Sequence, residues 1–136
     1  MDESAEKWAL ITGACGGIGA ALATVFSRTG YRVIATDRHN PEDVVSAAET
    51  YLQLDLEKIA RSESFTREMG KTIIELTGGA GLHSLVNNAA VQNLATLESM
   101  DREQWRETLD VNLNAPLFLI QELAPSLAAN KGSVVN

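Results

Sequence analysis

Short apolar runs alternate along the chain with longer stretches of helical period. Trp8-Ala9-Leu10-Ile11, Arg32-Val33-Ile34-Ala35, Tyr51 to Leu54, Leu82 to Val86 and Ser133-Val134-Val135 have the length and content of strands. A helix is predicted from about Ile18, with Ile18, Ala21, Leu22, Val25 and Thr29 on one face and Gly30 at its end. Asn40-Pro41-Glu42-Asp43 reads as the start of a short helix running to about Glu49: a capping Asn, then Pro, then acids against the positive dipole end. Glu57 to Thr77 is mostly helical, with Ile59, Phe65, Met69, Ile73 and Leu76 inward, and Gly78 to Gly81 break it. Asp101-x-x-Gln104 resembles a capping box and opens the longest helix, in which Trp105, Leu109, Leu113, Ile120, Leu123 and Leu127 keep the period. The order βαβαβαβαβ predicts an α/β fold: one domain over residues 1–136, a doubly wound parallel sheet in the order 3-2-1-4-5.

The loop after the first strand carries the richest chemistry. Thr12-Gly13-Ala14-Cys15-Gly16-Gly17-Ile18-Gly19 joins a predicted strand to a predicted helix. A helix start aims unpaired N–H groups and a positive dipole end at an anion, which suits a pyrophosphate. Glycine allows the tight turn and the close approach of the backbone. Asp37 follows at the end of the second strand, eighteen residues after Gly19. A carboxylate there accepts hydrogen bonds from ribose hydroxyls and repels a 2′-phosphate, so NAD is preferred over NADP. Arg38 beside it pulls the other way, since an arginine can pair with that phosphate. The arrangement is Rossmann-like.

Asn112 stands out for a backbone reason. Pro116, four residues later, has no N–H to return to the carbonyl of residue 112, so the long helix is expected to bend there. Other single residues read as structural. His39 and His83 have no second ligand at metal spacing, so no metal site is expected. Trp105 reads as core, and the stripe Leu113, Leu117, Ile120 as buried within the domain.

Composition narrows the partners. Eleven basic against eighteen acidic side chains leave a formal charge of −7, with no cationic excess for nucleic acid or an anionic membrane. One cysteine, Cys15, cannot form an internal disulfide, which fits a reducing compartment. Trp8 to Ser27 holds no charge, but four glycines and three hydroxyl residues interrupt it, and Asp2, Glu3 and Glu6 precede it where a signal peptide is basic. A cytoplasmic protein is expected.

Thr12-Gly-x-x-x-Gly17-x-Gly19, Asp55 after the third strand, Asn87-Asn88-Ala89-Ala90 after the fourth, and Val111-Asn112 in a long helix occur in one order between Trp8 and Asn136. With them the chain resembles the short-chain dehydrogenase/reductase family, departing from it at Ala90, where the family usually has glycine. The resemblance implies that Gly13, Cys15, Gly17, Ile18 and Gly19 line the pyrophosphate, with Cys15 merely a small loop residue. It puts Asp37 and Arg38 at the adenosine ribose, Asp55 and Leu56 at the adenine, and Asn88, Ala89 and Ala90 near the riboses. Thr12 and Asn87 would fix the turn and central strand. Asn112 would hold a water in the catalytic proton relay.

The family's hydride chemistry also needs a serine and a Tyr-x-x-x-Lys pair. Tyr31 is followed four places on by Ala35 and Tyr51 by Asp55, so neither tyrosine fits. The expectation is therefore the cofactor-binding N-terminal part of an NAD-dependent oxidoreductase acting on an alcohol or carbonyl, truncated after the fifth strand and inactive alone. An open edge at the fifth strand, with bare apolar faces on strands four and five, would favour a homo-oligomer. Two alternatives stay open: a non-catalytic nucleotide-binding or assembly module, and another Rossmann-like binder such as a methyltransferase.

Overall fold

The computed structural model describes residues 6–39 and 46–136. Its elements run β1 (Lys7–Thr12), α1 (Gly17–Arg28), β2 (Tyr31–Asp37), β3 (Thr50–Gln53), α2 (Leu56–Arg61), α3 (Glu63–Leu76), β4 (Ser84–Val86), α4 (Arg102–Leu109), a π-helical turn (Asp110–Asn114), α5 (Ala115–Ala129) and β5 (Ser133–Val135). All four strand pairings are parallel, in the order β3-β2-β1-β4-β5. The expected α/β architecture is the observed one.

Successive strand residues point to opposite faces, which builds two cores. Leu10, Ile34 and Leu85 pack with Ile59, Ile73, Leu119 and Leu123 beneath α2, α3 and α5. Ile11, Val33, Ala35 and Val86 pack on the other face with Ala23 of α1. Each fully buried Leu or Ile is worth about 1.5–3 kcal/mol relative to exposure. Among the described residues no helix is long and apolar enough to cross a membrane.

Several local expectations give way. The helix start at Asn40 to Asp43 lies outside the described residues, and 46–49 is turn and bend. The stretch from Glu57 to Thr77 is two helices. Ser62 adopts an extended backbone between them, and its hydroxyl accepts from the Phe65 amide to cap α3. On α1 the buried residues are Gly19 and Ala23, while Ile18 and Val25 are exposed. Small residues let this helix approach the sheet closely, a signal that hydrophobic periodicity discounts.

The long C-terminal helix is interrupted rather than simply kinked. The π-helical turn takes up one extra residue immediately before Pro116, with the Ala115 amide donating to the Asp110 carbonyl. From within it onward the buried stripe is Val111, Ala115, Leu119, Leu123 and Leu127. Leu113 and Leu117 fall off that stripe and are exposed instead of buried, and so is Trp105 on α4, a helix that buries no residue. β4 is buried throughout, so the expected bare apolar face is confined to β5, where Val134 and Val135 reach the surface. Helices cover β4 on both sides, because Leu85 and Val86 belong to opposite cores.

Candidate functional site

β1 has β2 and β3 on one side and β4 and β5 on the other. The chain thus winds away in opposite directions from the C-terminal ends of β1 and β4, where open α/β sheets leave a crevice. A cleft of about 570 Å³ lies there. Its walls come from the β1–α1 turn, the end of β2, the start of α2 and the loop after β4.

The turn is locked from two sides. The Thr12 hydroxyl accepts from the amides of Asn88 (3.1 Å) and Ala89 (3.0 Å) and donates to the Val86 carbonyl at 3.4 Å. The Asn88 side-chain amide donates to the carbonyls of Thr12 (3.1 Å) and Gly13 (3.2 Å). Gly13 has a φ of +64°, and a Cβ there would stand 2.7 Å from Cα of Ala89. Only glycine fits this contact.

Helix α1 then begins without a side-chain cap or an acid in its first turn. The other helices that begin afresh are capped: Asp55 accepts from Glu57, Ser62 from Phe65 and Asp101 from Gln104. The first N–H groups of α1, those of Gly17, Ile18 and Gly19, have no partner one turn back. These three residues line the cleft, and a Cβ at Gly17 would meet nothing within 4 Å. An uncapped positive helix end facing an open cleft fits the dianionic bridge of a dinucleotide.

Asp37 closes β2 at the cleft wall, its side chain 10% exposed. Its Oδ2 accepts from the Cys15 amide at 3.1 Å. Its Oδ1 accepts from the Arg38 amide at 2.8 Å and faces His39 Nδ1 at 2.7 Å. Burial pushes this carboxyl up, but the His39 ring and the two backbone amides together hold it below the ordinary carboxylate value. Asp37 is consequently an anion at neutral pH. The Tyr51 hydroxyl lies 2.6 Å from the His39 carbonyl and 3.2 Å from that of Asp37, holding the chain as it leaves β2.

The profile of the short chain dehydrogenase family matches residues 7–136. The chain belongs to this family. The NADPH-dependent 1-acyldihydroxyacetone phosphate reductase of Schizosaccharomyces pombe is 34% identical over 135 residues, covering 97% of this chain and 44% of that protein. The TT0495 protein from Thermus thermophilus superposes with a TM-score of 0.81 at 34% identity, over 95% of this chain and 54% of its own. A metagenomic short-chain oxidoreductase in complex with NADP gives 0.78 at 30% identity, over 94% and 60%. The chain spans about half the length of the curated relatives it matches.

Within this short-chain dehydrogenase fold, most residues expected at the site meet in one place. Gly13, Gly17, Ile18, Gly19, Asp37, Arg38, Asp55, Leu56, Asn88, Ala89 and Ala90 all line the cleft. Cys15 does not; its Sγ lies 4.0 Å from the Tyr51 hydroxyl, and its backbone amide reaches the site through Asp37. Asn112 also lies outside the cleft wall. Its side chain clamps Val91, donating to the carbonyl at 2.9 Å and accepting from the amide at 2.8 Å. Gly16, Thr36, His39, Leu54, Glu57, Val91 and Val111 join the wall as well. Most are sequence neighbours of expected residues. His39, next to Arg38, reads as structural in the sequence, because its partnership with Asp37 depends on how the chain turns after β2. His83 is a satisfied loop residue, its Nδ1 3.3 Å from the Trp8 amide.

Proposed function

We propose that the chain is the coenzyme-binding part of an NAD-dependent short-chain oxidoreductase interconverting an alcohol and a carbonyl compound. The observation that carries this reading is the pairing, across one cleft, of an uncapped helix start with an ionised carboxylate at the neighbouring strand end. The amides of Gly17, Ile18 and Gly19 would hold the pyrophosphate, and Asp37 the adenosine ribose. Asp55, which caps α2 with Oδ1, and Leu56 would border the adenine. Ala89, held by Thr12, and Ala90 beside it would border the riboses. The bound nicotinamide supplies the hydride or accepts it. The protein's part here is to bind and orient, with Asn112 fixing the loop after β4 through Val91.

Neither tyrosine in these residues is placed for acid–base work. Tyr51 is engaged by the carbonyls beside it, and no lysine follows either tyrosine by four places. The chain is accordingly proposed to bind coenzyme without turnover. A reducing, cytoplasmic setting and self-association belong to the same proposal. A second reading, NADP, draws on Arg38 and His39 at the cleft wall and on the NADPH dependence and NADP complex of two relatives.

Calorimetric titration of both coenzymes separates the readings. NAD should bind tighter than NADP, and Asp37→Ala should weaken NAD by about tenfold or more, the worth of a hydrogen bond to a charged group. It should also narrow the gap between the two. Tighter NADP binding, or no change on substitution, overturns the NAD assignment.

A further inference from the structure

Three donors of different chemistry converge at the edge of the cleft from two chain segments. Cys15 Sγ, a carboxylate oxygen of Asp37 and a ring nitrogen of His39 all lie within 4.8 Å of one another. Cys15 comes from the β1–α1 turn, Asp37 from the end of β2 and His39 from two residues beyond. We infer that Cys15, Asp37 and His39 form a binding site for one divalent transition-metal ion of the zinc class, with solvent in the fourth position.

The donor set selects the ion. A thiolate and an imidazole suit zinc, whereas magnesium and calcium take oxygen ligands. Three protein ligands with one open position is a common zinc arrangement. Bond lengths of about 2.0–2.3 Å put the ligands of a tetrahedral ion roughly 3–4 Å apart. The three donors, within 4.8 Å of one another, stand close to that spacing. The thiolate and the carboxylate together balance the charge of the ion. Binding releases the Cys15 thiol proton to solvent and takes a neutral His39 nitrogen, and no electron is transferred.

The surroundings support the ligands. The Asp37 carboxylate is already oriented by the Cys15 and Arg38 amides. Tyr51 fixes the backbone that carries Asp37 and His39 and stands beside the sulfur. Such outer partners orient ligands in metal sites. His39 is exposed and lines the cleft, so the ion has a way in. A consequence that rests on the proposed coenzyme role is that the ion and the adenosine ribose compete for Asp37.

Cobalt titration of the reduced 136-residue chain tests the site. One Co²⁺ per chain should bind with tetrahedral absorption and a thiolate charge-transfer band, both displaced by Zn²⁺. Cys15→Ser should abolish the charge-transfer band. His39→Ala, at an exposed position, should weaken binding by at least about tenfold, the scale seen for even outer-shell losses. Circular dichroism verifies that both variants keep the fold. Absence of the thiolate band in the parent chain, or unchanged affinity in both variants, overturns the site. Saturating Zn²⁺ should also weaken NAD binding. If NAD is indifferent while the cobalt spectrum is intact, the ribose role of Asp37 falls and the ion site stands; if NAD binds through Asp37 and no cobalt spectrum forms, the reverse holds.

Discussion

A methyl group added at Gly19 would overlap the carbonyl oxygen of Gly13, whereas one added at Gly17 would meet no atom within 4 Å. Two glycines in one turn of helix therefore differ: packing requires glycine at 19, whereas at 17 only the proposed coenzyme role does. Gly19→Ala is expected to destabilise the chain by about 1–3 kcal/mol, the usual cost of overpacking, in urea unfolding. Gly17→Ala should leave stability unchanged or raise it by up to about 1 kcal/mol through helix propensity. It should nonetheless abolish dinucleotide binding, because the methyl group occupies the approach to the helix start. Asn112→Ala removes both bonds to Val91, at about 0.5–1.5 kcal/mol each before discounting for their exposure. Amide exchange at Val91 should then accelerate while exchange in β1 does not. The glycine turn and Asp37 were legible because their chemistry is local. The His39–Asp37 pair was not, since an i,i+2 contact forms only once the strand has ended.

Elements follow the same logic on a longer ruler. Strand positions were readable to within one or two residues because their apolar runs are bounded by polar or glycine segments. The faces of α1 and of the last helix were not. On α1 the burying face is made of Gly19 and Ala23, with little hydrophobic signal. α4 buries no residue, so Trp105 is a false start for the stripe, and the π-helical turn before α5 sets the buried phase at Val111 and Ala115, leaving Leu113 on the solvent side. Periodicity assumes a constant helix, and one inserted residue defeats it. The start of α4 is better specified: Asp101 and Gln104 bond reciprocally in a capping box. Asp101→Ala should cost about 1 kcal/mol in thermal or urea unfolding, with coenzyme affinity unchanged.

Across the whole molecule, acid is the condition that tests how the elements are tied. Burial pushes the Asp110 carboxyl up, but Arg61, 2.7 Å away, and the Asn114 amide bring it below its ordinary 3.8. Asp37 behaves alike. A carboxyl depressed by folding contributes stability that is complete above its unfolded pKa and is lost as pH falls through the folded one. These two groups therefore leave stability flat near neutrality and erode it below about pH 4. Asp110→Asn should make that acid limb shallower in urea denaturation at stepped pH; an unchanged slope would show that the Arg61 pair carries none of it. Leu113 and Leu117, 63% and 58% exposed, and Val135 at the sheet edge leave apolar surface on the chain. Light scattering should find self-association, and Leu113→Lys with Leu117→Lys should reduce it.

The missing cap on α1 has a thermal and proteolytic corollary. Among the described residues, three helices are closed by their own side chains, while the first has no such cap and, in the proposed coenzyme role, takes an outside anion at its amino end. Before loading, fraying and nicking should start at residues 13–19, and an added dinucleotide should raise the melting temperature and delay cleavage there first.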